Sequence, residues 1–130
     1  YYTNSFHIPV DYDISLFEKM TKEGPYHKYT NAGHISYVEF PAPPVHNGEA
    51  IQSIVNHMRN CDMGYAGINF PIDFCESCGL LGVIDQEKCP KCGGDEIKRV
   101  RRITGYLSTV DRFNDAKIAE LKNRRPHRLS

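Results

Sequence analysis

Four of the five cysteines stand in two short knuckles, Cys75-Glu76-Ser77-Cys78-Gly79 and Cys89-Pro90-Lys91-Cys92-Gly93. In each knuckle the two intervening residues let the chain turn until both sulfurs face one ion. The glycine behind the second cysteine permits the left-handed backbone that such a turn often takes. Two knuckles offer four thiolates to a tetrahedral ion, which points to zinc in a site whose every position is filled by protein, hence structural rather than catalytic. Two disulfides, a pair of redox CxxC motifs or an iron-sulfur cluster are the other uses of four cysteines, and the usual cluster spacings differ from this one. The span from Leu80 to Lys88 is long enough for a short hairpin, so a small zinc ribbon is expected over residues 72–96.

Beyond the knuckles runs Arg101-Arg102-Ile103-Thr104-Gly105-Tyr106-Leu107. Taken alone, Thr104-Gly105 reads as an ordinary turn after a strand. The fifth cysteine, Cys61, follows an apolar helical stretch and reads as a core or surface bystander rather than a radical or redox group. The six histidines form no close pair with another ligand type, and His34 and His57 read as hydrogen-bonded scaffold residues rather than metal ligands.

The elements that must carry these residues can be traced along the chain. Asp13 is expected to cap a helix through about Thr21, with Ile14, Leu16, Phe17 and Met20 as its apolar face and Gly24-Pro25 ending it. Residues 33–40 have strand character, after which Pro41, Pro43 and Pro44 forbid regular structure. Asn47 is placed to cap a helix over roughly 49–60, whose Ile51, Ile54, Val55 and Met58 recur at helical spacing. Short strands are expected at 65–70 and 97–103, and a last helix at 111–123 with Ala116, Ile118, Ala119 and Leu121 available for burial.

At 130 residues and 40% hydrophobic content, the chain suits one α+β domain whose small core a metal would supplement. No apolar run approaches the ~20 residues of a membrane span, and Tyr1-Tyr2-Thr3-Asn4 lacks the pattern of a signal peptide. Cysteines spaced as ligands fit a reducing, cytoplasmic setting. Charge is lopsided: residues 1–96 hold six Lys/Arg against thirteen Asp/Glu, residues 97–130 ten against three. Such a basic third could be a nucleic-acid footprint centred on Arg99, Arg101 and Arg102, or a surface docked on the chain's own acidic part or on a larger protein.

In order, Tyr2-Thr3-Asn4-Ser5-Phe6-His7, Gly33-His34-Ile35-Ser36-Tyr37, Gly64-Tyr65-Ala66-Gly67-Ile68-Asn69-Phe70-Pro71, the two knuckles and Arg102-Ile103-Thr104-Gly105-Tyr106-Leu107 resemble the C-terminal end of the anaerobic, class III ribonucleoside-triphosphate reductases, which are glycyl radical enzymes. The resemblance covers essentially the whole chain. It implies that residues 1–71 close a barrel-type catalytic region, that Cys75, Cys78, Cys89 and Cys92 hold zinc, and that residues 97–130 form a glycyl radical loop and C-terminal helix. By the same likeness Gly105 stores the radical, and Asn4 and Ser5 are candidates for the nucleotide pocket. It further implies a partner activase that uses S-adenosylmethionine and an iron-sulfur cluster, a ribonucleoside triphosphate substrate, a homodimer of the full enzyme, and no membrane. The family's thiyl cysteine lies upstream in a ten-stranded α/β barrel and has no counterpart here. The other reading is a stand-alone zinc-ribbon module that grips nucleic acid with its basic tail.

Overall fold

A computed structural model describes residues 5–103 and 105–129. The chain runs α1 (Leu16–His27), β1 (Ile35–Glu39), α2 (Gly48–Asn60), β2 (Tyr65–Asn69), β3 (Ile72–Cys75), β4 (Leu81–Gly82), β5 (Ile97–Arg102), β6 (Leu107–Thr109), a 3₁₀ turn (Val110–Arg112) and α3 (Asp115–Asn123). This is an α+β arrangement with two sheets. β1 and β2 pair in parallel from Ile35↔Tyr65 to Glu39↔Asn69, joined through α2, because parallel neighbours need a long crossover. The other sheet is antiparallel in the order β4-β3-β5-β6.

The core lies between the parallel pair and the first two helices. Leu16 and Met20 of α1, Val38 and Phe40 at the end of β1, and Ile54 of α2 are buried together. Ile51, Met58, Ile68 and Phe70 pack around them, and burial on this scale is the main force that holds the helices on the strands.

α1 differs from expectation at both ends. Its cap is Ser15, whose Oγ accepts from the Glu18 N–H, while Asp13 instead pairs with Arg128 at the surface. At the far end the helix continues through Gly24-Pro25 to His27. Gly24 is a contact residue: a Cβ there would stand 2.4 Å from the Cys61 carbonyl oxygen. The last turn is held by tertiary bonds, since the buried His27 Nε2 lies 2.9 Å from Ser36 Oγ and its Nδ1 accepts from the Gly64 N–H. Those bonds outweigh the cost of a proline in the final turn.

α2 begins as expected, with Asn47 Oδ1 accepting from the Ala50 N–H, but its Val55 is exposed. α3 starts later than expected, at Asp115, capped by Asn114, because residues 110–112 are drawn into the 3₁₀ turn behind β6. Ala116 is exposed, and Ile118, Ala119 and Leu121 are half-buried. The span from Leu80 to Lys88 holds no hairpin of its own. β4 folds back on β3, with Asp73↔Gly82 and Phe74↔Leu81 paired, so the first knuckle is itself the hairpin turn.

Candidate metal centre and glycine hairpin

The two knuckles are built alike. In the first, Gly79 N–H donates to the Cys75 carbonyl at 2.9 Å and Cys75 N–H to the Leu80 carbonyl. In the second, Gly93 N–H donates to the Cys89 carbonyl at 2.8 Å and Cys89 N–H to the Gly94 carbonyl. Both glycines are left-handed, with φ of 70° and 75°, as the closing residue of this turn requires. Gly94 must also be small, since a Cβ would stand 3.0 Å from Ser77 Oγ and 3.4 Å from Cys92 Sγ.

These turns bring the four sulfurs within 4.8 Å of one another. The short contacts run between knuckles, Cys75 Sγ to Cys92 Sγ and Cys78 Sγ to Cys89 Sγ, each 3.6 Å. A disulfide needs about 2.05 Å, so the sulfurs are neither bridged nor arranged as two CxxC redox pairs. Thiolates at about 2.3 Å from a tetrahedral zinc stand about 3.8 Å apart, close to the spacing found. Electrostatics agree. Burial pushes the Cys89 thiol up, but the N–H groups of Cys92 and Lys91 and the neighbouring sulfurs bring it down to about 6. For Cys92 the Gly94 N–H pulls down, yet Cys78 and Cys75 outweigh it and push the thiol up to about 12. Four sulfurs this close cannot all ionise without a cation among them, and the donor set fits a metal ion.

β3 and β5 tie this centre to the glycine. They pair from Ile72↔Val100 to Cys75↔Ile97, so the first metal-site cysteine sits on the same sheet as the strand that leads to Gly105. Asp73 is fully buried between them; it accepts from Arg101 Nη1 at 2.5 Å, from the Ile84 N–H at 2.9 Å and from Arg99 Nη1 at 3.5 Å. Arg99 also donates to the carbonyls of Ile84 and Gln86, which holds the approach to the second knuckle against β5.

β5 and β6 form a hairpin whose last pair is Arg102↔Leu107, leaving Gly105 near its tip. Gly105 lines a cavity of about 710 Å³ with His7, Lys19, Tyr37, Arg124 and His127 among its walls. It is exposed, has no left-handed φ, and a Cβ built on it would meet nothing within 4 Å. Within this chain neither crowding nor a left-handed backbone demands a glycine here. Ser5 is exposed with φ 56°, and Asn4 lies outside the described residues.

The remaining candidates fall elsewhere. Cys61 caps the end of α2 with its Sγ 3.9 Å from Thr21 Oγ1. His57 Nε2 lies 3.0 Å from the Phe17 carbonyl, and His34 packs edge-on against His27. The basic third folds onto the chain's own acids: Lys98 pairs with Glu76, Arg99 and Arg101 with Asp73, Arg124 with Glu39 and Arg128 with Asp13. Arg102 reaches Tyr37, its Nη1 donating to the phenol oxygen at 2.6 Å. The three arginines on which a nucleic-acid footprint would centre are therefore engaged within the protein. Among the described residues no helix is long and apolar enough to cross a membrane. Sequence reasoning missed Glu39, Asn69 and Arg124, which surround the Arg102 carbonyl; only their pairing in space reveals them.

The four-cysteine cluster thus shares a sheet with the hairpin that carries Gly105, beside a parallel strand pair, and comparison with known proteins supplies the class. The model of the family described as anaerobic ribonucleoside-triphosphate reductase matches residues 1–127. The chain is 38% identical over 98% of its length to the Escherichia coli (strain K12) protein of that name, and 35% identical over 98% to that of Enterobacteria phage T4. It covers 19% and 22% of those two proteins, about a fifth of each. A solved anaerobic ribonucleotide reductase superposes on 92% of this chain with a TM-score of 0.73 at 23% identity, over 19% of its own length. The Thermotoga maritima anaerobic ribonucleotide reductase, solved in complex with dATP and CTP, superposes on 87% with a TM-score of 0.64 at 23% identity, over 18% of its own length. The chain belongs to the anaerobic ribonucleoside-triphosphate reductase family.

Proposed function

We propose that this chain is the radical-bearing C-terminal part of an anaerobic ribonucleotide reductase, with zinc on Cys75, Cys78, Cys89 and Cys92 and the radical stored on Gly105. The observation that carries the reading is the shared sheet, which runs from the four-sulfur cluster through β3 and β5 to the Gly105 hairpin. Residues 1–71 then belong to the barrel-type catalytic region, 72–96 to the ribbon and 97–130 to the radical loop and C-terminal helix.

Zinc would supply closure: a bound ion fixes both knuckles and, through Asp73 and its arginines, the strand that carries the glycine. Loss of a hydrogen atom from the Gly105 α-carbon leaves an electron shared between the flanking amide nitrogen and carbonyl, and a centre without a side chain flattens readily. The partner activase, using S-adenosylmethionine and an iron-sulfur cluster, removes that hydrogen. Gly105 then takes a hydrogen atom from a cysteine thiol of the upstream region, and the resulting thiyl abstracts the ribose 3′-hydrogen of a ribonucleoside triphosphate. The 2′-hydroxyl leaves as water, and formate or a thiol system supplies the two electrons. A CTP complex of the Thermotoga maritima enzyme supports a triphosphate substrate. The complete enzyme is expected to be a cytoplasmic homodimer.

The exposed Gly105 fits this division of labour, since the catalytic cysteine must approach from outside these residues. Holding reactants in place accounts for much of an enzyme's rate, and this chain has the radical store without the thiol outlet. Incubated anaerobically with activase, triphosphate and formate, the chain alone should form no deoxynucleotide, and should do so once the upstream polypeptide is added. Product from the chain alone contradicts the assignment.

A further inference from the structure

The Arg102 carbonyl, three residues before Gly105, accepts from two side chains that come from other parts of the chain. Arg124 Nη1, just past α3, donates to it at 2.6 Å, and Asn69 Nδ2 at the end of β2 donates at 3.3 Å. The Glu39 carboxylate at the end of β1 joins the two donors, accepting from Arg124 Nη1 at 2.8 Å and from Asn69 Nδ2 at 2.9 and 3.1 Å. Glu120 takes the other end of the guanidinium, Arg124 Nη2, at 2.6 Å. The Arg124 and Glu39 side chains are each only 14% exposed.

We propose that Arg124 is a positioning residue for Gly105, acting through Glu39, Asn69 and the Arg102 carbonyl to set the place and rigidity of the hairpin tip. Arg102↔Leu107 is the last pair before that tip, so whatever fixes the Arg102 carbonyl fixes one foot of the loop. The other foot is held by α3, whose Lys117 Nζ donates to the Tyr106 hydroxyl at 2.9 Å. The clamp is also the junction of the two sheets, because β1 and β2 carry Glu39 and Asn69 while β5 carries the carbonyl. Arg124 is delivered to it by the segment behind α3, which runs beside β1: His127 N–H donates to the Glu39 carbonyl at 2.9 Å, and Glu39 N–H to His127 Nδ1 at 2.8 Å. An arginine that served only as a counter-ion would be satisfied by its two carboxylates. Here Nη1 is shared between Glu39 and a main-chain oxygen at the base of the loop while Nη2 takes Glu120, so the guanidinium fork joins three acceptors at once.

The first arm of the test is independent of the proposed radical, and the second rests on it. Arg124→Gln and Arg124→Lys are made in the full-length reductase that carries this segment, and amide hydrogen exchange is followed by mass spectrometry. Arg124→Gln should speed exchange of residues 103–107 by roughly tenfold, as expected for loss of a charged hydrogen bond, while exchange at the two knuckles and metal content stay at the parent level. Arg124→Lys should fall between them. Should Arg124→Gln not fold, Asn69→Ala removes the second donor and leaves the guanidinium in place; it should give the same local change at smaller size. Unchanged exchange at 103–107, or acceleration spread equally over the chain, overturns the proposal. In the second arm, radical per chain after anaerobic activation should fall several-fold in Arg124→Gln and recover partly in Arg124→Lys. A parent protein that acquires no radical removes the proposed function, and the exchange arm still decides the clamp.

Discussion

Asp73→Asn is a severe test of the link between the metal centre and the glycine hairpin, because it changes one charge and almost no volume. The carboxylate is fully buried and receives two guanidinium groups and the Ile84 N–H. Breaking a buried ion pair by removing one partner costs about 3–5 kcal/mol. Two features reduce that figure here. Arg99 is the more distant partner at 3.5 Å, and both arginines keep backbone acceptors, Gln86 for Arg99 and Ile72 and Val100 for Arg101. One strong charged bond and part of a second are lost, which amounts to about 2–3 kcal/mol. Urea unfolding should show this as a lower midpoint with unchanged slope, together with faster metal loss to a chelator. Glu76→Gln is the control: its partner Lys98 is 49% exposed and Glu76 itself 41%, so its loss should leave the urea midpoint nearly unchanged. If Asp73→Asn matches that control, the ribbon and β5 are not coupled through this carboxylate.

Cys89→Ser should abolish stoichiometric metal binding, measured by elemental analysis, and lower thermal stability, because metal binding at such a site is coupled to folding. Ile54→Ala, at a fully buried site, should cost about 2–5 kcal/mol in the same urea assay. Burial, with Lys19 next, brings the His127 imidazole down to about 4 from its ordinary 6.5. The folded chain thus resists a proton that the unfolded chain accepts, so this stability is complete above about pH 7 and lost as pH falls toward 4. Allowing for partial exposure it amounts to about 2 kcal/mol, and a His127→Gln chain should show a flatter profile over that window.

What could be read in advance was local. The knuckles are visible because a metal turn is written in four consecutive residues, and α2 because Asn47 and its apolar spacing lie within one helix. β3, β4 and β6 are four, two and three residues long, too short for a periodicity, and exist through their partners. Lys19, Glu23 and His27 follow one another at helical spacing as a polar stripe, which reads as a solvated face; all three are buried, Glu23 taking Lys19 and the Ile8 N–H. The basic third was evident as composition, but the acids it meets lie up to 115 positions away in sequence, as Asp13 does from Arg128. The clamp around Arg102 was hidden for the same reason.

The central claim concerns one α-carbon. Because a methyl group at residue 105 meets nothing within 4 Å, Gly105→Ala should leave folding of this chain within ~0.5 kcal/mol of the parent, so any loss of signal belongs to chemistry rather than collapse. Electron paramagnetic resonance of the full-length reductase after anaerobic activation should show a doublet from the single remaining α-hydrogen, absent in Gly105→Ala. An undiminished doublet in that variant would place the radical elsewhere and contradict the assignment.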